Sequence, residues 1–298
     1  MFNKHIKRLT ILSIIVLSLI IVGCTSDNDE DTTESESVAE SLDYTIVGIE
    51  AGAGLMQLTE DMMEDYGLDN YTLQPSSGIA MTQALGDAIE NEEPVVVTGW
   101  APHWKLQAYD VKFLEDPRDS FGEGEVLITL ARHGLQEDMP DAYEVLSNFQ
   151  WSMSDIESVM LDIAQETPPE VAARDWVENN PDMVNQWIGD ARDVDGDEIG
   201  LAHTPWDSEI ASHNVMKVVL EDLGYDVTLT QVDFGPVFYG LAGGTIDASL
   251  SAWLPTYQDY YDDYIDEIDD LGVNLEDAVN GLVVPSYMDI DSIEDLVE

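Results

Sequence analysis

Three tryptophans stand where binding chemistry needs no nucleophile. Trp100, Trp206 and Trp253 each lie at the end of an apolar run that reads as a β-strand. An indole face carries negative quadrupole potential, so rings converging on one point attract a cation too bulky to hydrogen-bond. Each desolvated contact of this kind is worth up to ~2 kcal/mol. A box of indoles is neutral and adds no counter-charge. The acidic end of a zwitterion must then be met elsewhere, and Gly52-Ala53-Gly54-Leu55 offers a place. This turn opens a helix, where free N–H groups and the positive end of the dipole receive an anion. Glycine also lets a ligand come close to the backbone. Together these residues specify a small ligand, cationic at one end and anionic at the other.

Catalysis requires a nucleophile, base and orienting group, or a metal. Ser76-Ser77-Gly78 lacks a nucleophile-elbow pattern, and the five histidines show no metal-like spacing. Asp193-Val194-Asp195-Gly196-Asp197-Glu198 suggests a calcium loop only superficially. Its acids do not precede the glycine in the required order, and the twelfth position is Thr204. No enzyme activity, cofactor or metal is expected.

The elements that must position the tryptophans come in two similar sets. The first runs from Tyr44 to Trp104: strand Thr45 to Ile49, helix Leu55 to Tyr66, strand Tyr71 to Gln74, helix Ile79 to Glu90, strand Val95 to Val97. The second runs from Glu198 to Tyr257: strand Ile199 to Ala202, helix Asp207 to Leu223, strand Val227 to Gln231, helix Pro236 to Ala242, strand Ala248 to Ala252. Asp65-Tyr66-Gly67-Leu68 echoes Asp222-Leu223-Gly224-Tyr225, and Trp100-Ala101-Pro102 echoes Trp253-Leu254-Pro255. Ala211, Val215, Val218 and Val219 make one buried stripe. Strands alternating with helices imply mostly parallel sheets covered on both faces. Two such units predict an α/β protein of two lobes facing across a cleft. Ligands of open α/β sheets bind beyond the carboxyl ends of the strands, where the tryptophans sit. A helix-rich insert separates the sets, with Ser154 and Glu157 as a capping box and a further helix over Val171 to Asn179.

Of 298 residues, 62 are acidic and 10 basic, a formal net charge of −52. Such a surface repels nucleic acid and anionic membranes, and at low salt it repels itself. Molar salt shortens the Debye length to about 3 Å and screens that repulsion. A salt-loving host is expected. At the N-terminus Lys4, Lys7 and Arg8 precede an apolar stretch from Leu9 to Val22, the pattern of a signal peptide (1–23). It ends at Ile21-Val22-Gly23-Cys24, which resembles a bacterial lipobox and makes Cys24, the only cysteine, the expected lipidation site. Residues 24–43 are polar and acidic and read as a flexible tether, with folding expected to begin near Tyr44.

Thr98-Gly99-Trp100-Ala101-Pro102-His103-Trp104, Trp206-Asp207-Ser208-Glu209-Ile210-Ala211-Ser212 and Leu250-Ser251-Ala252-Trp253-Leu254-Pro255 resemble the glycine betaine/proline betaine-binding lipoproteins of ABC uptake systems. So do Leu220-Glu221-Asp222-Leu223-Gly224-Tyr225, Gly281-Leu282-Val283-Val284-Pro285-Ser286-Tyr287 and Ser292-Ile293-Glu294-Asp295-Leu296. The resemblance covers the chain from Tyr44 to its end, in the order of members whose halves are permuted. It implies a two-lobed, type II periplasmic-binding-protein-like α/β fold with the ligand cleft between the lobes. Lobe 1 is expected over 44–115 plus 282–298, and lobe 2 over 116–281. It also implies a three-tryptophan prism, mapping onto Trp100, Trp206 and Trp253, around the methylated ammonium. The amides of Gly54 and Leu55 would hold the carboxylate. Two positions depart from the pattern: Gln258 stands where relatives often carry His, and His203 where an aromatic is common. His203 reads equally as a ligand contact or a packing histidine, whereas His103 and Trp104 read as structural. The implied partners are a small zwitterionic quaternary-ammonium ligand and an ABC permease/ATPase complex. The protein would act as a monomer outside the cytoplasm, held to the membrane by its lipid anchor. Proline betaine, choline, carnitine and sulfonium analogues stay open as ligands, and a ligand-binding sensory adaptor as a role.

Overall fold

Each half of the chain builds the same three-strand pattern, and a pair of antiparallel strands joins the two. The computed structural model describes residues 37–122 and 124–297. The expected signal peptide, the expected lipidation site Cys24 and the expected tether as far as residue 36 lie outside the described residues. The strands are β1 (Thr45–Val47), β2 (Thr72–Gln74), β3 (Val96–Ala101), β4 (Val111–Phe113), β5 (Glu125–Arg132), β6 (Glu198–His203), β7 (Asp226–Gln231), β8 (Ala248–Leu254) and β9 (Ile268–Pro285). They form one nine-stranded sheet in the order β2-β1-β3-β9-β5-β8-β6-β7, with β4 also paired to β9.

The parallel parts follow from the helical crossovers. β1 lies parallel between β2 and β3, linked by helices Gly54–Tyr66 and Gly78–Asn91. β6 lies parallel between β7 and β8, linked by helices Asp207–Asp222 and Phe234–Ala242. Parallel neighbours need such crossovers, and helices on the sheet faces bury the strands. Accordingly Ile46, Val96, Val97, Leu201, Ala202 and Leu250 are buried. Helix Gly54–Tyr66 ends at Gly67, whose φ of 71° lets Leu68 N–H reach back to the Met63 carbonyl at 2.9 Å. A left-handed C′ glycine is the usual helix stop. Helix Asp207–Asp222 is buried on most sides because it packs against β6 and β8 and under helices Met153–Ala164 and Pro169–Asn179.

The segment between the repeats is not purely helical. It also contains β4 and β5, and β5 runs antiparallel between β8 and β9. The 18-residue β9 binds β5 with its first part and β3 with its last. It therefore connects the two repeats physically. In this register Trp100 lies opposite Asn280, and Trp253 lies opposite Leu127.

Two local expectations are corrected. The capping box that opens helix Met153–Ala164 is Ser152 with Asp155, not Ser154 with Glu157. Asp155 N–H donates to Ser152 Oγ at 3.3 Å, and Ser152 N–H to Asp155 Oδ2 at 3.0 Å. Ser154 falls inside the first turn, and its hydroxyl touches that of Ser152 at 2.9 Å. Order also begins before Tyr44. Ser37 and Glu40 cap a short helix, Val38–Ser41, which buries Ala39 and packs on the 3-10 turn Ile293–Leu296. Leu42 follows, also buried. These apolar side chains give the end of the acidic tether something to dock.

Candidate functional site

Seven tryptophans are present, and the structure divides them by job. Trp151, Trp176 and Trp187 pack with Phe149 as a core cluster, the Trp176 and Trp187 rings stacking at 5.5 Å. Trp100, Trp206 and Trp253 instead line one small cavity. Its other walls are Ile49, Ala53, Leu55, Thr256, Tyr257 and Asn280. No wall side chain carries a full charge at neutral pH.

Each ring is placed by a different local device. Trp100 closes the buried run of β3 and is 5% exposed. Trp253 lies near the end of β8 and is 4% exposed, its indole N–H buried without a partner. Trp206 is the N-cap residue of helix Asp207–Asp222 and holds extended backbone (ψ 147°). Its ring is half-buried and stacks on Phe234 at 6.2 Å and Tyr257 at 6.1 Å.

At the other side of the cavity, helix Gly54–Tyr66 begins after Ala53 with no side-chain cap. Its first N–H, from Gly54, donates to Tyr257 Oη at 3.1 Å. A Cβ at Gly54 would meet Thr256 Cγ2 at 2.3 Å and the Tyr257 ring at 3.3 Å. Only glycine permits this approach. Leu55 lines the cavity directly. Gly54 and Leu55 thus stand beside the tryptophans.

His203 and Gln258 do not line this cavity. The His203 Nδ1–H donates to the Thr204 carbonyl at 2.6 Å, bracing the turn that leads to Trp206, and burial lowers its pKa. Its ring lies 5.1 Å from that of His213. Burial drives His213 down to about 3; its Nδ1–H donates to the Glu209 carbonyl at 2.8 Å and Nε2 accepts from Leu250 N–H at 3.2 Å. Gln258 spends its amide on Asp262 Oδ1 at 2.7 Å, one turn along its own helix.

Charge is kept just outside the walls. Lys105 is fully buried with Nζ 4.3 Å from the centre of the Trp100 ring and no hydrogen-bond partner. Burial pulls its pKa down to about 7, against the attraction of Asp207. Asp207 Oδ2 accepts from Trp104 Nε1 at 2.9 Å and lies 3.4 Å from His103 Nε2. Trp104 therefore fastens the first repeat to the helix that follows Trp206. Behind Thr256 and Asn280 sits Glu125, which accepts from the Thr256 hydroxyl, from Thr256 N–H at 3.2 Å and from Asn280 Nδ2 at 3.2 Å. Burial raises its pKa, and these donors oppose the rise. Glu209, fully buried and pushed up to about 8, accepts from Thr204 N–H at 2.8 Å.

Sequence reasoning missed Thr256, Tyr257 and Asn280. The first two follow the Trp253-Leu254-Pro255 run and so carried a signal by position. Asn280 carried none, because only the pairing of β9 with β3 brings it to Trp100. Among the described residues no cluster of three or more His, Cys, Asp or Glu is arranged to hold a metal ion.

A neutral aromatic cavity with main-chain donors at its edge accords with the comparisons. The family model for the substrate binding domain of the ABC-type glycine betaine transport system matches residues 27–179 and 197–298. The chain belongs to this family. The glycine betaine/carnitine transport binding protein GbuC of Listeria monocytogenes is 42% identical over 301 residues, which cover 98% of each chain. Among solved structures, lactococcal OpuAC in its closed-liganded conformation with glycine betaine is 39% identical (TM-score 0.46). A glycine betaine/L-proline-binding protein, ProX, from Borrelia burgdorferi is 35% identical (TM-score 0.47). Each of these two matches covers 53% of this chain and 63% of the other, less than two thirds of the solved chain. The protein is a substrate-binding protein of glycine betaine ABC transport, built on a mixed α/β sheet. Such proteins work outside the cytoplasm and bind rather than transform their substrate. No helix among the described residues is long and apolar enough to cross a membrane.

Proposed function

We propose that this protein captures glycine betaine between Trp100, Trp206 and Trp253 and hands it to an ABC permease for osmoprotective uptake. The supporting observation is that the three rings line one uncharged cavity edged by Leu55 and the Gly54 amide. The trimethylammonium head would meet the indole faces, and the Gly54 and Leu55 amides would receive the carboxylate. Residues 44–115 with 282–298 would move as one lobe against 116–281, closing on a ligand that bridges them. Cys24 would carry the lipid that holds the protein at the outer face of the cell membrane. Titration calorimetry in molar salt is the test: glycine betaine should bind, and glycine, which lacks the methyl groups, should not. Equal affinity for both would refute the cage. Carnitine belongs in the same panel, because the GbuC relative is named for it as well.

The excess of 62 acidic over 10 basic residues supports a salt-rich working medium. Between 0.1 M and 1 M salt the Debye length falls from about 10 Å to about 3 Å. The melting temperature should therefore climb steeply with sodium chloride across that range. A melt insensitive to salt would remove the halophilic reading and leave the binding site untouched.

A further inference from the structure

Six side chains in the cavity wall carry polar hydrogens: Trp100, Trp206, Trp253, Thr256, Tyr257 and Asn280. Two are already committed. The Thr256 hydroxyl donates to Glu125, and Asn280 Nδ2 donates to Glu125 Oε1 and Thr256 Oγ1 at 3.2 Å each. The Trp253 N–H has no partner, but no hydrogen bond ties it, or the N–H of Trp100 or Trp206, to the helix start, where the Gly54 amide bonds Tyr257. Tyr257 is different. Its oxygen accepts from Gly54 N–H, so the phenol stands at the amide proposed for the ligand carboxylate. Its own hydrogen donates to no described residue. The ring is 6% exposed and held by stacking on Phe234 (centroids 3.4 Å, 22°) and Trp206 (6.1 Å, 22°).

Resting on the binding mode proposed above, we infer that the Tyr257 hydroxyl is the side-chain donor that reads the ligand's carboxylate and makes the site prefer carboxylate-bearing over hydroxyl-bearing trimethylammonium solutes. A carboxylate arriving at Gly54 takes over the amide that the phenol oxygen now accepts. The phenol hydrogen then turns to the carboxylate, giving the anion a third donor beside Gly54 and Leu55. Burial raises the phenol's pKa, and the nearby Glu209 and Glu125 raise it further, so the hydroxyl keeps its proton. Gln258 cannot share the task from its present place, since its amide is bonded to Asp262.

Tyr257→Phe tests this, because it keeps the stacked ring and removes one oxygen. A hydrogen bond to a charged group implies about a ten- to hundredfold loss. Calorimetry in molar salt should show glycine betaine weakened by that factor and choline, which ends in a hydroxyl, unchanged within about twofold. Equal weakening of both would mean a structural role only and would overturn the inference, as would unchanged affinity for both. Wild-type protein that binds neither solute would defeat the parent reading instead. If the variant does not fold, a crystal structure of the wild-type complex decides. Tyr257 Oη within about 3 Å of a carboxylate oxygen supports the assignment, and a longer separation overturns it.

Discussion

Trp206→Ala should weaken glycine betaine binding at least tenfold while leaving the fold nearly as stable as before. One desolvated cation–π contact of ~2 kcal/mol corresponds to about thirtyfold in affinity. Trp206 is the best of the three rings to remove. Trp100 and Trp253 are 5% and 4% exposed, so truncating either would also cost about 3–5 kcal/mol of folding free energy. Trp206 is only half-buried, and as N-cap residue it contributes its backbone, not its side chain, to helix Asp207–Asp222. Loss of ring contact with Phe234 and Tyr257 is the main structural consequence. Calorimetry alongside a thermal melt separates the two effects. Unchanged affinity in a folded variant would show that the ring does not touch the ligand.

Lys105→Met should stabilise the protein, and by an amount that shrinks as pH rises. Lys105 is fully buried, lacks a hydrogen-bond partner and has its pKa lowered from 10.5 to about 7 by burial. Below about pH 7 both folded and unfolded chains hold the proton, and the whole cost of burying the charge is present. Between about pH 7 and 10.5 the unfolded chain holds a proton that the folded one has released, so this residue's contribution to stability improves with pH. At 1.36 kcal/mol per pKa unit the full cost is of order 5 kcal/mol. Methionine retains an unbranched apolar stem against Trp100 and has no proton to lose. Asp207 keeps the Trp104 N–H as donor. The variant should therefore melt well above wild type at pH 6 and close to it near pH 10. Taking the difference between the two proteins removes the titration of the many carboxylates they share. A difference that does not change with pH would show that Lys105 does not titrate as its burial implies.

Much of the fold was legible locally. Both repeats were placed to within a few residues, because amphipathic periodicity and the Gly67 and Gly224 stops act over short windows. The capping box was read two residues late, since Ser152 and Ser154 offer the same chemistry and only the path of the chain chooses between them. The start of the ordered region was placed at Tyr44 because an acidic segment hides two small apolar contacts, Ala39 and Leu42. β9 was not anticipated as a strand. Its first part, Ile268-Asp269-Asp270-Leu271-Gly272, is acidic and glycine-broken, and it is extended because β5 pairs with it from more than a hundred residues away.

By itself, the sequence determined the α/β class, the paired repeats, the charge and the three tryptophans that line one cavity. These depend on composition and on spacing within a few turns or strands. The tertiary structure alone decided that Asn280 lies opposite Trp100, that Tyr257 meets Gly54, and that His203 and Gln258 turn to other partners. The first two outcomes depend on strand register and on segments distant in sequence meeting, and the last on nearby partners, Thr204 and Asp262, taking these side chains instead of the cavity.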